Sequence, residues 1–219
     1  MTYSEMEKRT GVDSTLLCRY VTGSVRPSKP QAQLILERLK DAPAFRNLVE
    51  QRMLFKEGGY LDMHEVLGDP TILKWIASEV YFAFSNKRID RVVTAASSGI
   101  PLATAIALRL DADLTFATPS KTSGKGAYYE SEISTSNPAE VFALYVPVSW
   151  IKKGEKILIV DDVATTGRTM SALITLIKDA GTVIQGIAVL ASRGNRWREQ
   201  IAPLLEKDVP VFVLFQFSR

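Results

Sequence analysis

Apolar and polar positions alternate with two different periods in the second part of the chain. Short runs rich in β-branched and apolar side chains are separated by stretches with the 3.6-residue period of a helix. Short, fully apolar runs are typical of strands buried on both faces of a parallel sheet. Strand–helix alternation predicts an α/β fold with a doubly wound, mainly parallel sheet. The predicted strands are 91–96, 113–117, 156–160, 182–189 and 209–214, and the predicted helices are 101–110, 169–180 and 197–206.

The first 57 residues have helical periodicity and no strand signal. Ser4 and Glu7 have the spacing of a capping box, which predicts a helix start at the beginning of the chain. Gly11 ends that helix, Asp13 caps a second one, and a longer amphipathic stretch follows from 31 to about 56. We therefore predict a small all-α N-terminal domain over 1–57 and an α/β domain over 58–219.

Residues 120–149 do not fit the strand–helix alternation. They combine lysines, glycines and serines with a pair of tyrosines before the next apolar run. Long connections of this kind are uncommon in compact domains and are often lids over a site. We predict a loop or hairpin here, with a lid at 120–140.

Composition restricts the class of protein. Apolar residues make up 46% and charged residues 23%, as in a globular protein with a core. The apolar runs are far shorter than the roughly 20 residues of a bilayer span, and no leader precedes a cleavage site. A single cysteine, Cys18, excludes an internal disulfide, and with His64 the only histidine the usual zinc sites are disfavoured. We expect a protein of the cytoplasm without membrane association.

The positive charge is concentrated at the N-terminal end. Residues 1–57 hold ten Lys or Arg and seven Asp or Glu, which equals the excess of +3 in the whole chain. A basic end on a neutral body favours an anionic partner for that end. An excess of this size is also compatible with an ordinary solvated surface.

The sharpest motif lies at 157–170. An apolar strand ends in Asp161 and Asp162, and a hydroxyl-rich loop, Thr165–Thr169, leads into a helix. Backbone N–H groups of such a loop and helix start suit a phosphate. The two acids suit ribose hydroxyls or a Mg²⁺ ion. The alternative is an ordinary helix cap, which the two acids in front of the loop disfavour.

Residues 157–170 resemble the fingerprint of the type I phosphoribosyltransferases. In the same order, 95–101 stands where that family has its pyrophosphate loop, 121–140 where it has its lid, and 59–70 resembles the hood of adenine phosphoribosyltransferases and of the bacterial purine repressor. The resemblance covers about 58–219. It implies transfer of ribose 5-phosphate from phosphoribosyl pyrophosphate (PRPP) to a base, with Mg²⁺ and with release of pyrophosphate.

The resemblance also implies roles for individual residues. Asp161 and Asp162 would take the ribose hydroxyls and assist Mg²⁺, and Lys121 and Lys125 would cover the leaving group. Alternatively, the lysines belong to a merely solvated loop. The 5′-phosphate would be held by Thr165, Thr166, Gly167, Arg168 and Thr169, the pyrophosphate by Ser97, Ser98 and Gly99, and the base by Tyr60 and Leu61. For Tyr60 the alternative is core packing.

The identity of the base is less clear from the motifs. Enzymes for 6-oxopurines carry an acid where this chain has Thr165 and a lysine near Ser192, which favours adenine here. Glu130 or Glu132 would then supply the lid glutamate of adenine enzymes. Against this, Ser98 stands where adenine enzymes tend to have arginine, and Arg168 resembles the 6-oxopurine loop.

Residues 5–27 resemble a phage-repressor-type helix-turn-helix. In that interpretation Ser14, Thr15 and Arg19 would face the major groove of DNA, and Arg26 and Lys29 would contact phosphates. The alternative is a helical domain that serves dimerisation or packing.

Two functions follow from these resemblances. The first is a purine phosphoribosyltransferase, with adenine as the expected base, assembled as a homodimer. The alternative is a transcription regulator that binds DNA and senses PRPP or a nucleotide. Cys18 is expected to pack inside the N-terminal domain, and His64 to be structural or peripheral, with a role near the base as the alternative.

Overall fold

The computed structural model describes residues 2–40, 43–56, 60–121, 126–133 and 142–218. The chain divides into two compact units, Met1–Gln51 and Arg52–Arg219. No described helix has the length and apolar character needed to cross a bilayer.

The first unit is helical throughout its described part. Its first turn is closed by a capping box made by Thr2 and Glu5, in which the Glu5 N–H donates to Thr2 Oγ1 over 3.3 Å and the Thr2 N–H donates to Glu5 Oε2 over 2.7 Å. The expected pair of Ser4 and Glu7 is therefore wrong by two residues, because Ser4 already lies inside the helix. The helices are α1 (Tyr3–Thr10), α2 (Ser14–Val21), α3 (Lys29–Lys40) and α4 (Pro43–Gln51).

Short polar contacts define the turn between α1 and α2. Gly11 adopts a φ of +71°, and the Asp13 carboxylate accepts hydrogen bonds from the first N–H groups of α2, as predicted. The Arg38 guanidinium of α3 donates to the Thr10 carbonyl over 3.1 Å.

The single amphipathic stretch expected at 31–56 is instead two helices and a strand. Pro43 stands at the first position of α4, where a missing N–H is tolerated.

The second unit is built around a five-stranded parallel sheet. Its order is β4-β3-β7-β8-β9, so β3 and β7 are neighbours with Arg91 opposite Ile157. The strands are β3 (Arg91–Ala95), β4 (Asp113–Ala117), β7 (Lys156–Ala164), β8 (Val183–Arg193) and β9 (Val211–Phe217), and the helices are α5 (His64–Leu67), α6 (Pro70–Ala83), α7 (Gly99–Leu110), α8 (Arg168–Asp179) and α9 (Arg196–Ile201). The predicted doubly wound parallel sheet is confirmed.

Two antiparallel pairs lie outside this sheet. The first pairs β1 (Leu54–Phe55) with β2 (Leu61–Asp62), in the region predicted to be the hood. The second pairs β5 (Tyr128–Ile133) with β6 (Phe142–Pro147), within the predicted loop or hairpin. Of the predicted lid, 122–125 and 134–140 fall outside the described residues.

The core fills the space between the sheet and its helices. α8 supplies the fully buried Leu173 and Ile174, and Trp197 at the start of α9 is also fully buried. Against them pack apolar side chains of β3 and β7, such as Val93 and Ile157. This packing fixes the start of α8 directly beyond the carboxyl end of β7.

Candidate functional site

A cavity of about 550 Å³ lies at the carboxyl edge of the parallel sheet. Three segments contribute to its walls: the hood, the loop between β3 and α7, and the end of β7 with the loop into α8. Ligands of open α/β sheets bind at this edge. The polar or chemically distinctive residues of the lining are Tyr60, His64, Ser98, Asp161, Asp162, Thr165 and Thr169, with Leu61 and Met63 among the apolar ones.

Asp161 and Asp162 form a buried acid pair in this wall. Each is only 8% exposed, and the Asp162 N–H donates to Asp161 Oδ1 over 3.1 Å. Burial, followed by the neighbouring Asp162 carboxylate, raises the pKa of Asp161 well above its usual range. No cation of the described chain is among the groups that set this pKa. β7 extends to Ala164, so the acids lie within the strand and not at its end as predicted.

The loop after β7 approaches the backbone of α9 closely. Gly167 has a φ of +80°, and a Cβ there would lie 2.8 Å from the Trp197 carbonyl oxygen. Glycine is therefore required at this position. Gly167 is also the N-cap of α8 and supplies no side-chain hydrogen bond to it, so the helix start presents N–H groups of the kind that bind anions. Thr165 and Thr166 are exposed beside it.

The loop after β3, the strand next to β7, shares two features with the loop after β7. It contains a closely packed glycine and leads into a helix whose N-cap residue makes no side-chain hydrogen bond. The Ala96–Ser97 peptide is cis, and a Cβ on Gly99 would lie 2.2 Å from Thr94 Oγ1. Ser98, the N-cap of α7, makes no side-chain capping bond and lines the cavity. The starts of α7 and α8, neither capped by the side chain of its N-cap residue, thus follow two neighbouring strands, and residues at both starts share the cavity wall with the acid pair.

The hood closes another side of the cavity. Tyr60 is 64% exposed, so it is not a core residue, whereas Leu61 is buried. His64 also lines the cavity, with its Nδ1 2.6 Å from Asp62 Oδ1. Lys56 Nζ lies 2.5 Å from Asp62 Oδ2. The ammonium of Lys56 first, and then the two His64 contacts, hold the pKa of Asp62 far below its usual range.

The lid residues have different surroundings. Lys121 Nζ lies 3.3 Å from Glu130 Oε2 and 4.9 Å from the centre of the Tyr145 ring. Lys121 is not among the described residues that line the cavity. Lys125 lies outside the described residues. The structure thus places Lys121 against Glu130 and Tyr145 of the β5–β6 pair, and its role toward pyrophosphate stays a prediction.

Comparison with known proteins identifies the family. The model of the phosphoribosyl transferase domain matches residues 69–213, about two thirds of the chain. The chain belongs to the phosphoribosyltransferase family. The predicted resemblance to the phosphoribosyltransferases is confirmed. The matched range contains the acid pair and the two loops that lead into α7 and α8.

Individual relatives carry different names. Over 150 residues the chain is 31% identical to a protein named hypoxanthine/guanine phosphoribosyltransferase from Methanohalobium evestigatum, covering 68% of this chain and 74% of that one. Over 144 residues it is 29% identical to the probable purine biosynthesis transcriptional regulator PurR of Streptococcus pneumoniae, covering 65% of this chain. The matched part spans about half of the regulator, 52% of its length.

Solved structures show the same fold. Adenine phosphoribosyltransferase from Rhodothermus marinus matches 80% of this chain and 99% of its own, with a TM-score of 0.68 and 24% identity. The adenine enzyme from Thermoanaerobacter pseudethanolicus matches with a TM-score of 0.69 and 16% identity. At these identities the likeness establishes the phosphoribosyltransferase fold.

The predicted DNA-facing residues lie on and after α2. Thr15, Arg19 and Arg26 are exposed, and Ser14 is half-buried. Lys29, at the start of α3, is exposed as well. The exposed residues of α2 thus include Thr15 and the basic Arg19 together with the apolar Val21, and the helix-turn-helix interpretation stays a prediction.

Two features of the cavities add to what the sequence indicated. Arg196 lines a second cavity of about 430 Å³ together with Arg168 and Thr166, next to the phosphate loop. The only sequence signal for Arg196 was that it follows the predicted strand 182–189, at the end of the sheet where ligands bind. His64, expected to be structural or peripheral with a role near the base as the alternative, lies exposed on the main cavity wall. Its D-x-H spacing from Asp62 is the signal that would have found it.

Proposed function

We propose that this chain is a purine phosphoribosyltransferase that binds PRPP and transfers ribose 5-phosphate to a purine, with adenine as the expected base. One observation carries the proposal. Two helix N-termini, in the loops that follow the adjacent strands β3 and β7, share one cavity with a buried acid pair. PRPP has a phosphate group and a pyrophosphate group at opposite sides of a ribose, which matches this arrangement.

Each part of the substrate then has a partner. The loop at Thr165–Thr169 binds the 5′-phosphate, and the loop at 97–99 binds pyrophosphate through its backbone N–H groups. Asp161 and Asp162 accept hydrogen bonds from the ribose hydroxyls. Mg²⁺ bound with PRPP would neutralise the leaving pyrophosphate, and the oxygens of this acid pair are of the kind it prefers. Among the described residues no cluster of three or more metal-binding side chains occurs, which is compatible with a metal held largely by the substrate.

Catalysis rests on electrostatics. As the C1–oxygen bond to pyrophosphate breaks, positive charge develops on the ribosyl group, and the buried carboxylates stabilise it. The helix N-terminus of α7 stabilises the departing anion. Tyr60, exposed at the cavity wall, stacks on the base.

The choice of adenine rests on the cavity wall. Thr165 places a hydroxyl where a 6-oxopurine enzyme would have an acid, and Ser192 is fully buried without a described hydrogen-bond partner. The name of the Methanohalobium relative favours hypoxanthine or guanine instead. The assay below therefore includes all of these bases. A homodimer in the cytoplasm is part of the same proposal.

The decisive experiment is turnover with a defined variant. The purified chain is mixed with PRPP, Mg²⁺ and each of adenine, hypoxanthine, guanine, xanthine, uracil and orotate, and pyrophosphate and nucleotide are measured. We expect turnover with adenine and a loss of about 10²- to 10³-fold in Asp162→Asn. Asp179→Asn, at the exposed end of α8, is the matched control and should leave turnover unchanged.

A second function, a DNA-binding regulator that senses PRPP or a nucleotide, is favoured by the N-terminal unit. The exposed Thr15, Arg19 and Arg26 support it, and so does the name of the Streptococcus relative. It predicts selection of a specific duplex from a random-sequence library, with salt-dependent affinity that PRPP shifts. Unchanged affinity of Arg19→Ala at low salt would contradict it. PRPP binding without turnover of any base would exclude the transferase and leave the regulator.

A further inference from the structure

Transfer of a phosphoribosyl group to a purine releases a proton, and the groups assigned so far do not account for it. The Asp161–Asp162 pair is engaged with ribose, and Thr165 stands where a 6-oxopurine enzyme would offer an acid to the imidazole ring of the base. We propose that His64 accepts the proton from N7 of the purine, with Asp62 as the residue that positions it. This inference rests on the proposed function and deepens it.

The contact between Asp62 and His64 orients the imidazole. Asp62 Oδ1 accepts the His64 backbone N–H over 3.0 Å and lies 2.6 Å from Nδ1 of the ring. Two contacts to one oxygen fix the ring relative to the backbone. A carboxylate can only accept a hydrogen bond, so Nδ1 donates its hydrogen to Asp62. In the neutral ring Nε2 therefore carries the lone pair.

Lys56 keeps the orienting carboxylate charged. Its ammonium nitrogen lies 2.5 Å from Asp62 Oδ2, and the Asp62 side chain is only 14% exposed. An ionised Asp62 holds the Nδ1 proton and stabilises the imidazolium that forms when Nε2 is protonated. The same division of labour between a carboxylate and an imidazole operates in catalytic triads.

Nε2 belongs to an exposed side chain that lines the cavity. The His64 side chain is 89% exposed, and no described residue forms a hydrogen bond with Nε2. The ring shares the cavity wall with Tyr60, the residue proposed to stack on the base. The charged and titratable groups around the ring are Lys56 and Asp62 of the β1–β2 pair, Tyr60 and Glu65 beside it, and Asp161 and Asp162 across the cavity.

The step balances with these groups. N9 of the base attacks C1 of the ribosyl group with its lone pair, and the C1–oxygen bond breaks with its electron pair leaving on pyrophosphate. The N7–H bond breaks, its electrons return to the purine ring, and the proton moves to His64 Nε2. The protonated ring then donates to N7 of the nucleotide, and because it is exposed it returns the proton to solvent.

The first test is the pH profile of kcat/KM. His64→Gln keeps a hydrogen-bonding group but cannot take a proton. We expect it to lose about 10²- to 10³-fold in kcat/KM and to lose the acid limb of the wild-type pH profile, because glutamine cannot take up a proton. Asp62→Asn should lose about tenfold. Glu65→Gln, on the next exposed residue, is the control, and melting temperature and PRPP affinity verify that each variant is folded.

A binding measurement separates this inference from the proposed function. Wild type should bind AMP more tightly when His64 is protonated at lower pH, whereas His64→Gln and the ligand 7-deaza-AMP, which lacks N7, should lose that part of the pH dependence. Should no base turn over while this pattern holds, the transferase proposal fails and the His64–N7 contact stands. Turnover that is unchanged in His64→Gln, or the same AMP pH dependence in both proteins, would overturn the inference.

Discussion

The two edges of the parallel sheet bury charge in opposite ways. At the amino edge Arg91 is 9% exposed on its side chain and donates to Glu155 Oε2 over 2.9 Å, Glu155 Oε1 over 3.0 Å and Asp113 Oδ2 over 2.8 Å. At the carboxyl edge Asp161 and Asp162 are equally buried, but the pKa of Asp161 is raised by burial and by the like charge of its neighbour.

The difference indicates which edge binds a ligand. A buried cation with two carboxylates is satisfied within the protein, so removing it harms the fold and gains nothing for binding. No cation of the described residues is among the groups that set the pKa of Asp161, so hydroxyls or a cation from outside would stabilise its charged form. Perturbed acids of this kind in a cleft are typical of functional sites.

The largest expected effect is the loss of folding stability when Arg91, at the amino edge of the sheet, is removed. Arg91→Ala leaves Glu155 buried without its cation, and we expect the free energy of unfolding to fall by about 3–5 kcal/mol. Urea unfolding measures this. Arg88→Ala removes a contact of 2.8 Å to Asp90, but Arg88 is 76% exposed, so its cost should stay below about 1 kcal/mol. Equal losses in the two variants would mean that burial does not decide the value of these pairs.

The next largest effect is expected at the carboxyl edge, where a side chain on Gly167 would disturb the backbone of the loop before α8. Gly167→Ala places a Cβ 2.8 Å from the Trp197 carbonyl oxygen at a φ of +80°, so we expect a loss of about 2–3 kcal/mol in stability and weaker PRPP binding. Gly154 has a similar φ of +83° with nothing within 4 Å of the added atom. Gly154→Ala should cost only about 1 kcal/mol and leave PRPP affinity unchanged. Calorimetry and PRPP titration measure both quantities.

Much of this sheet could be predicted from the chain. The runs at 91–96 and 156–160 are apolar on both faces because helices cover both sides of β3 and β7, and that pattern is visible without a structure. The phosphate loop was visible for a similar reason, since its chemistry is local to 157–170. The Ser4 cap was wrong because Thr2 and Glu5 offer the same spacing two residues earlier.

Contacts that depend on pairing between distant residues could not be predicted. Arg91 meets Glu155 because β3 and β7 are neighbours in the sheet, although the residues are 64 positions apart. Lys121 meets Glu130 through the β5–β6 pair and not the cavity. His64 reaches the cavity wall because the pairing of Leu54 with Asp62 sets the direction of the hood.

A smaller effect sharpens the contrast at the acid pair. Asp161→Asn removes one of two adjacent buried carboxylates, and we expect the free energy of unfolding at neutral pH to rise by about 1 kcal/mol while turnover is lost. The gain follows from relief of desolvation and of repulsion by Asp162. Parallel urea unfolding and pyrophosphate assays measure the two quantities, with Asp179→Asn as the control. A destabilised Asp161→Asn would show that the pair is satisfied inside the protein after all.

The smallest expected effect is on how far folding stability falls at acid pH, through Asp90 at the amino edge of the sheet. The Lys156 N–H donates to Asp90 Oδ2 over 3.0 Å and Arg88 to Oδ1 over 2.8 Å, and these bonds lower the pKa of Asp90. Because the folded-state pKa lies below the ordinary value of about 3.9, the stabilisation is complete above that value and is lost as pH falls below it. Asp90→Asn should flatten the fall of stability between about pH 5 and pH 3 by less than about 1 kcal/mol. Urea unfolding across this range measures the slope, with the exposed Asp208→Asn as control. If the slope of Asp90→Asn matched that of wild type, the acid loss of stability would come from other carboxylates whose pKa is lowered, such as Glu155 through Arg91 and Asp62 through Lys56.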